Sequence, residues 1–484
     1  MATYLGIDLG TSGLRALLVD ETGTPLGATE RHYSVSHPSP GWSEQDPADW
    51  IAALEGAVED MRSQHSRFAE LRGIGVAGQM HGATLLDARN AVLRPCILWN
   101  DTRSHVEAAM LDRAEKVRAL SGNIVFPGFT APKLAWVRTH EPYVFSRVTK
   151  VLLPAAYLNF HLTGDHVADM SDSAGTSWLD VGARAWSGTL LDAGGMSADQ
   201  MPRLVEGSEK AGELRPDLAA KWGLSPGVTV AGGAGDNAAA ACGIGALNEG
   251  QGFVSLGTSG VLLAARDGYR PAPETAVHTF CHAVPGRWYQ MGVMLSATDS
   301  LNWLSRISGT SPSDLTRALG DELRPPSPLR FLPYLSGERT PHNDAEIRGS
   351  FTGLGTETTR EDLTQAVLEG VAFGLKDSFQ ALKATEARLD SLIAIGGGAA
   401  SRYWVRLIAT VLNLPLHLPA QGEFGAALGA ARLGLVAATK AAPETVMTAP
   451  AIQTTISPQT DKVAAFEAAY GQFRAAYKHI RAAQ

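Results

Sequence analysis

Gly6-Ile7-Asp8-Leu9-Gly10-Thr11-Ser12-Gly13 has a counterpart at mid-chain, Phe253-Val254-Ser255-Leu256-Gly257-Thr258-Ser259-Gly260. The pentapeptide Leu-Gly-Thr-Ser-Gly is identical in both, at 9–13 and 256–260. Each copy follows a short β-prone segment, 4–7 or 253–255, and precedes a second apolar run, 14–19 or 261–265. That pattern predicts a β-hairpin with Gly, Thr and Ser in its turn, made twice. Such a repeat points to two copies of one folding unit. The 484 residues are also too many for one ordinary core. The predicted division is 1–248 and 249–484.

The turns suit a phosphate. Gly10-Thr11-Ser12-Gly13 and Gly257-Thr258-Ser259-Gly260 offer backbone N–H groups without side-chain obstruction, and they add hydroxyl donors. One such turn is a weak signal, because these residues fill ordinary turns. Two copies facing each other across a cleft would clamp a triphosphate. Asp8, just before the first turn, suits Mg²⁺ directly or through water, since magnesium keeps waters and takes few carboxylates. Ser255 stands at that place in the second copy, so the metal side belongs to the first unit.

Working outward, 235–243 and 422–429 both start with an acid just after glycine and continue in small residues. Two such helices can approach closely and form a narrow hinge between domains. An Ala-rich helix chosen for propensity is the other reading. Asp236 opens the first of these helices. A helix N-terminus favours the ionised carboxylate that a general base needs, and an aspartate serving only the helix start fits as well.

Elsewhere apolar strands alternate with helical stretches, which is the α/β pattern. A helix is predicted at 49–64, strands at 71–77 and 392–395, and a helix from about Ser401. Thr358 and Glu361 suit a capping box for a helix carrying Leu363, Val367, Val371 and Leu375 on one face. Val463, Phe466, Tyr470, Phe473, Tyr477 and Ile480 recur at helical spacing. This terminal helix, about 460–482, docks on its own domain or packs back on the first. Residues 436–460 read as a linker. Gly396-Gly397-Gly398-Ala399 lets a flat ligand such as adenosine approach, or is a loop that needs positive φ. Gly78-Gln79-Met80-His81-Gly82 and Trp99-Asn100-Asp101 follow apolar stretches, where α/β folds place ligands, and carry groups suited to sugar hydroxyls.

A net charge of −8 argues against a nucleic-acid surface. The start lacks a basic signal region, and no long apolar run suggests a membrane span. The three cysteines, Cys96, Cys242 and Cys281, show no metal-ligand spacing. A cytoplasmic enzyme with free thiols is expected. There is no G-x-x-x-x-G-K-[ST], so a P-loop is excluded, and 231–235 lacks the dinucleotide-loop spacing.

Together these residues resemble the FGGY carbohydrate kinases of the sugar kinase/Hsp70/actin superfamily, over essentially the whole chain and in the family's motif order. Gly128-x-Thr130-x-x-Lys133-Leu134-x-Trp136-Val137 resembles the first family signature. Gly349-x-Phe351-x-Gly353-Leu354, continuing to Asp362-Leu363 and Ala366-Val367-Leu368-Glu369, resembles the second. The stretches 78–82, 97–101, 42–47 and 336–342 are similar to the branch that acts on xylulose.

The resemblance implies two actin-like (ribonuclease H-like) α/β domains around a deep cleft, with sugar and metal on the first and nucleotide on the second. It implies transfer of a phosphoryl group from ATP, with Mg²⁺, to D-xylulose. Another ketose or polyol of the same family is the alternative. A non-catalytic ATP-binding regulator and an actin-like filament module are rivals from other classes; Asp236 and the sugar-side motifs argue against the first, and the composition, which suggests no polymerising surface, against the second. Asp236 is implied as the catalytic base, with Met80, His81, Trp99 and Asn237 also against the sugar. Asp8, Thr11, Ser12, Gly257 and Thr258 are implied around metal and phosphates, and Gly397 and Gly398 near the adenosine. Residues 421–425 depart modestly from the family pattern. The loop 338–348 is read as lying near the cleft. The expected partners are a sugar and MgATP, without nucleic acid or membrane, and a homodimer is left open.

Overall fold

Both expected hairpins form, in a computed structural model that describes residues 1–420 and 425–483. The first joins β1 (Thr3–Leu9) to β2 (Gly13–Asp20), and β3 (Pro25–His32) continues it antiparallel. On the other side of β1, β4 (Leu71–Gly78) pairs parallel. Beyond it come β5 (Lys210–Glu213) at the edge and β6 (Thr229–Ala231), which is parallel to β4. The two-residue strand β7 (Ala234–Gly235) runs parallel to the end of β4.

The second sheet repeats the plan. β8 (Gly252–Leu256) and β9 (Gly260–Arg266) form the second hairpin. β10 (His278–Cys281) lies outside β11 (Trp288–Met294), which pairs antiparallel with β9. β12 (Leu392–Ile395) is parallel to β8, and β13 (Leu416–Pro419) is parallel to β12. β14 (Ile452–Ile456) closes that edge antiparallel. Each sheet is thus a three-stranded antiparallel meander with two parallel strands on the far side of its first strand. Parallel neighbours need crossovers, and the helices supply them.

The principal helices are α1 (Pro47–Gln64), α2 (Thr130–His140) and α3 (Asp236–Ile244), then α4 (Thr298–Ser308), α5 (Arg360–Ala384), α6 (Arg402–Leu412), α7 (Gly425–Thr439) and α8 (Thr460–Ala483). α1 starts two residues earlier than expected, because Pro47 fits the first turn and the Asp46 carboxylate accepts the Ala48 N–H. The capping box of α5 uses Thr359 and Asp362, one residue later than expected. The Thr358 hydroxyl is already taken by the Gly355 N–H.

α3 and α7 lie against each other with almost nothing between them. A methyl on Gly429 would overlap the Ala239 carbonyl oxygen. α7 comes from the second half of the chain, yet it lies on the first sheet. Methyls on Gly6 and Gly75 would strike the carbonyls of Ala427 and Ala430. α3 comes from the first half and shares a core with Phe253, Phe280, Tyr289 and Ile395 of the second. The two small-residue helices therefore cross between the halves. Residues 422–424, which begin the second small-residue copy, lie outside the described residues, as do 421–424 of the segment that departs from the family pattern.

Two readings of the chain end need correcting. Phe466, Ala469, Tyr470 and Phe473 of α8 join the core of α5 and α6, and the Tyr470 hydroxyl donates to Asp377 Oδ1 at 2.5 Å. This helix docks on the second half, not back on the first. Residues 436–460 are not a linker. They finish α7 and supply the edge strand β14. β14 is exposed along most of its length, so Gln453, Thr454 and Thr455 give it no apolar alternation to read. Among the described residues, no helix is long and apolar enough to cross a membrane. Cys96, Cys242 and Cys281 are free and buried.

Candidate active site

Register brings three segments to one edge of the first sheet. Leu9 pairs with Gly78, and Gly235 pairs with Gly78 from the other side. The turn after β1, the 79–82 stretch after β4 and the start of α3 after β7 therefore emerge side by side. This is the carboxyl end of parallel strands, where α/β sheets bind ligands.

The first turn is held from behind by its carbonyls. Tyr33 Oη donates to Gly10 O at 2.6 Å, Gln45 Nε2 to Thr11 O at 2.6 Å and the Tyr33 N–H to Ser12 O at 3.3 Å. The N–H groups of Thr11 and Ser12 find no protein acceptor among the described residues, so they remain open donors. The Thr11 hydroxyl does not. It accepts from Trp99 Nε1 at 3.0 Å and donates to Gln79 Oε1 at 3.2 Å. A hydroxyl has one proton to give, so here the turn offers its backbone to an anion and uses its hydroxyl to fasten Trp99.

Asp8 and Asp236 flank the end of β4 and feel each other's charge. Burial and the Asp236 carboxylate push Asp8 up to about 7. Burial also pushes Asp236 up to about 6, against the Asn237 N–H and Nδ2, which both donate to its Oδ1 at 2.7 and 2.9 Å. The helix start was expected to favour the ionised form outright. Burial outweighs it and brings the group close to neutral pH. Asn237, expected at the sugar, also orients Asp236 through these two bonds. Asp8 accepts no side-chain hydrogen bond among the described residues, and a divalent cation beside it would relieve both burial and repulsion. Among those residues no cluster of three or more His, Cys, Asp or Glu makes a closed cage. A single carboxylate beside open backbone donors is the kind of set that suits a hard ion keeping waters and ligand oxygens.

Met80 packs against Gly235, the residue before Asp236, and His81 packs against Gly175. A methyl on Gly235 would collide with Met80, and one on Gly175 with the His81 ring, so both glycines make room for these side chains. The His81 ring stacks on Phe129 with centroids 4.4 Å apart. Burial, with the Lys133 and Arg339 charges, pushes its pKa down to about 3. The ring is neutral, and its Nδ1 lies 2.8 Å from Gly175 O. A carbonyl can only accept, so Nδ1 carries the proton and Nε2 is left as an acceptor for a hydroxyl.

The second turn follows the same principle with different props. Gly257 O accepts from the Thr298 N–H at 2.9 Å and from Thr298 Oγ1 at 2.7 Å, and Thr258 O accepts from the Ala297 N–H at 2.8 Å. The N–H groups of Thr258 and Ser259 find no acceptor among the described residues. The two hairpins differ by one residue in register. Leu9 pairs with Leu14, whereas Leu256 pairs with Gly260. Next to this turn is a cavity of about 430 Å³ lined by Gly397, Gly398, Trp404, Asn302 and Thr298. Gly396 needs its positive φ of 86°, and Gly397 faces open space. The positive-φ reading of the glycine run thus holds at Gly396, and Gly397 leaves room beside the cavity.

Several residues of the site were given no role of their own in the sequence. Gln79 and Gln45 are linked at 3.0 Å and fasten the first turn to the sheet edge. Arg339, in the loop read as near the cleft, reaches across the halves. Its guanidinium lies 4.8 Å from the Phe126 ring centroid, and it lines a cavity of about 470 Å³ with Trp99, Asn100 and Gly128. Asp172 is buried, and both its carboxylate oxygens lack partners. Burial and its neighbours Asp169 and Asp236 raise its pKa well above the ordinary range. Its only sequence signal was an acid among small polar residues, which reads as a turn.

Two sheets on one plan, a joint of two close-packed helices and an open N–H turn on each half make up a two-domain actin-like fold. Residues 3–243 match the model for the N-terminal domain of the FGGY family of carbohydrate kinases, and residues 252–438 match that for the C-terminal domain. The chain belongs to this family. It is 45% identical over 481 residues to a xylulose kinase of Escherichia coli (strain K12), covering 99% of each chain. Among solved structures it is similar to a kinase of Brucella ovis described as a xyloylose kinase, with 58% identity, full coverage of both chains and a TM-score of 0.98. A xylulose kinase from Rhodospirillum rubrum is 28% identical over 99% of each chain, with a TM-score of 0.91.

Proposed function

We propose that the chain transfers the γ-phosphoryl group of ATP to the terminal hydroxyl of D-xylulose, giving D-xylulose 5-phosphate and ADP. The observation that carries the chemistry is Asp236, half-buried at the head of α3 where Gly235 packs on Met80, with a pKa of about 6. The near full-length likeness to xylulose kinases supports the sugar. In this reading Asp236 orients the hydroxyl and accepts its proton. Asn237 holds Asp236, while His81 Nε2 accepts a second sugar hydroxyl. Met80 and Trp99 line the sugar.

The open N–H groups of Thr11 and Ser12, with Gly257 and Thr258 opposite, take phosphate oxygens, and Gly397 and Gly398 lie against the adenosine. Asp8 would hold Mg²⁺, which supplies charge neutralisation at the phosphates when bound. The sugar and metal side is 1–248, and the nucleotide side is 249–484. Closure about α3 and α7 would exclude water. The buried free thiols support a reducing cytoplasm as its location.

A panel of D-xylulose, D-ribulose, L-rhamnulose and glycerol with MgATP, read by coupled ADP release, tests the substrate. D-xylulose is expected to give the highest kcat/KM. Equal turnover of D-ribulose would overturn the choice. The pH profile tests the base. Asp236 accepts a proton only when ionised, so at saturating MgATP kcat/KM for the sugar should fall as pH drops through about 6, by about tenfold per unit. A profile flat down to about pH 5 would assign the proton to another group.

A further inference from the structure

The first family signature contains a lysine whose work is visible in the geometry. α2 begins at Thr130 and carries Lys133 one turn later. Thr130 Oγ1 donates to the backbone carbonyl of His81 at 3.2 Å, and Lys133 Nζ donates to the same oxygen at 2.8 Å. Nζ also donates to Gly128 O at 2.6 Å. Lys133 is 0% exposed, and it makes no ion pair with a carboxylate among the described residues.

A buried ammonium without a counter-ion costs stability, so packing is a poor reason for it. What it holds is a better one. His81 has a φ of 69°, in the left-handed region that is uncommon for any residue other than glycine. Its ring is pinned at the other end by Gly175 O. Gly128, the second partner of Nζ, is where a methyl would strike the Trp99 carbonyl oxygen. One amine thus links the 78–82 stretch, the signature loop and the 99–101 stretch. Burial pulls Lys133 down to about 7. Its neutral form still has two N–H donors for two carbonyls, so the link survives loss of the charge.

We propose that Thr130 and Lys133 are positioning residues that fix the His81 backbone and so hold its Nε2 ready for a sugar hydroxyl. This rests on the functional reading above. Lys133→Met keeps length and removes the donors. The expected result is a KM for D-xylulose raised about tenfold to a hundredfold. KM for ATP and sugar-independent ATP hydrolysis should stay unchanged, and the melting temperature should be equal or higher. Thr130→Ser should behave as wild type, and Thr130→Val should follow Lys133→Met in the same direction. Unchanged KM for the sugar, or equal rises for sugar and ATP with a lower melting temperature, would overturn the proposal.

Nitrogen NMR of the His81 ring gives a readout independent of the substrate. The fixed Nδ1–H tautomer of the wild type should give way to a mixture in Lys133→Met, and an unchanged ring signal would also overturn it. A wild type that ignores D-xylulose would sink the substrate reading, while the ring signal would still decide the clamp.

Discussion

Asp236→Asn is expected to lower kcat for sugar phosphorylation by about a thousandfold while leaving the protein at least as stable as wild type at about pH 8. The amide keeps the shape of the carboxylate, and its oxygen can still accept from the Asn237 N–H and Nδ2. It cannot take a proton from the substrate. The stability half follows from linkage. The folded-state pKa of Asp236 is raised to about 6 by burial, so the fold favours the protonated form. That contribution is present at low pH and is lost as pH rises through about 6. Above that pH the ionised carboxylate is a burden that the amide removes. Coupled ADP release and a melting curve read the two effects. A variant that keeps more than about a tenth of the activity would show that Asp236 is not the base.

The largest effect on stability is expected from Gly429→Ala. Its methyl would overlap the Ala239 carbonyl oxygen, which is part of the facing helix and cannot rotate away. α7 would have to lift from α3, and it also rests on Gly6 and Gly75 of the first sheet. Overpacking costs about 1–3 kcal/mol, and a clash with backbone puts this one at the upper end. Gly471→Ala on α8 is the contrast. Nothing lies within 4 Å of its Cβ position, and replacing a helical glycine there should add about 0.5–1 kcal/mol. The denaturant midpoints of both variants check this. A Gly429→Ala midpoint equal to wild type would mean that the helices do not meet as closely as described.

Much of the architecture was legible because it is repetitive. The duplicated Leu-Gly-Thr-Ser-Gly turns, the strands at 71–77 and 392–395 and the two small-residue helices all leave local patterns of period or composition. The order in which strands pair is not local, and only the structure shows that α7 crosses to the first sheet. β14 escaped because an exposed edge strand needs no apolar face.

At the site, residue types were readable and their partners were not. Thr11 was legible as a turn hydroxyl, but its bonds to Trp99 and Gln79 span 88 and 68 residues. The sequence placed Asp236 at a helix start and suggested a freely ionised acid. Burial, which no spacing reveals, sets it near neutral pH instead. Lys133 was visible only as a letter in a signature until the His81 carbonyl appeared beside it.

The decisive measurement is phosphorus NMR of the protein with MgATP and D-xylulose. The ATP γ-phosphate signal should disappear in step with a new phosphate monoester coupled to the C5 protons of the sugar, one ester for each ADP formed. Inorganic phosphate without a sugar ester, or no change at all, would contradict a xylulose-phosphorylating site built around Asp236.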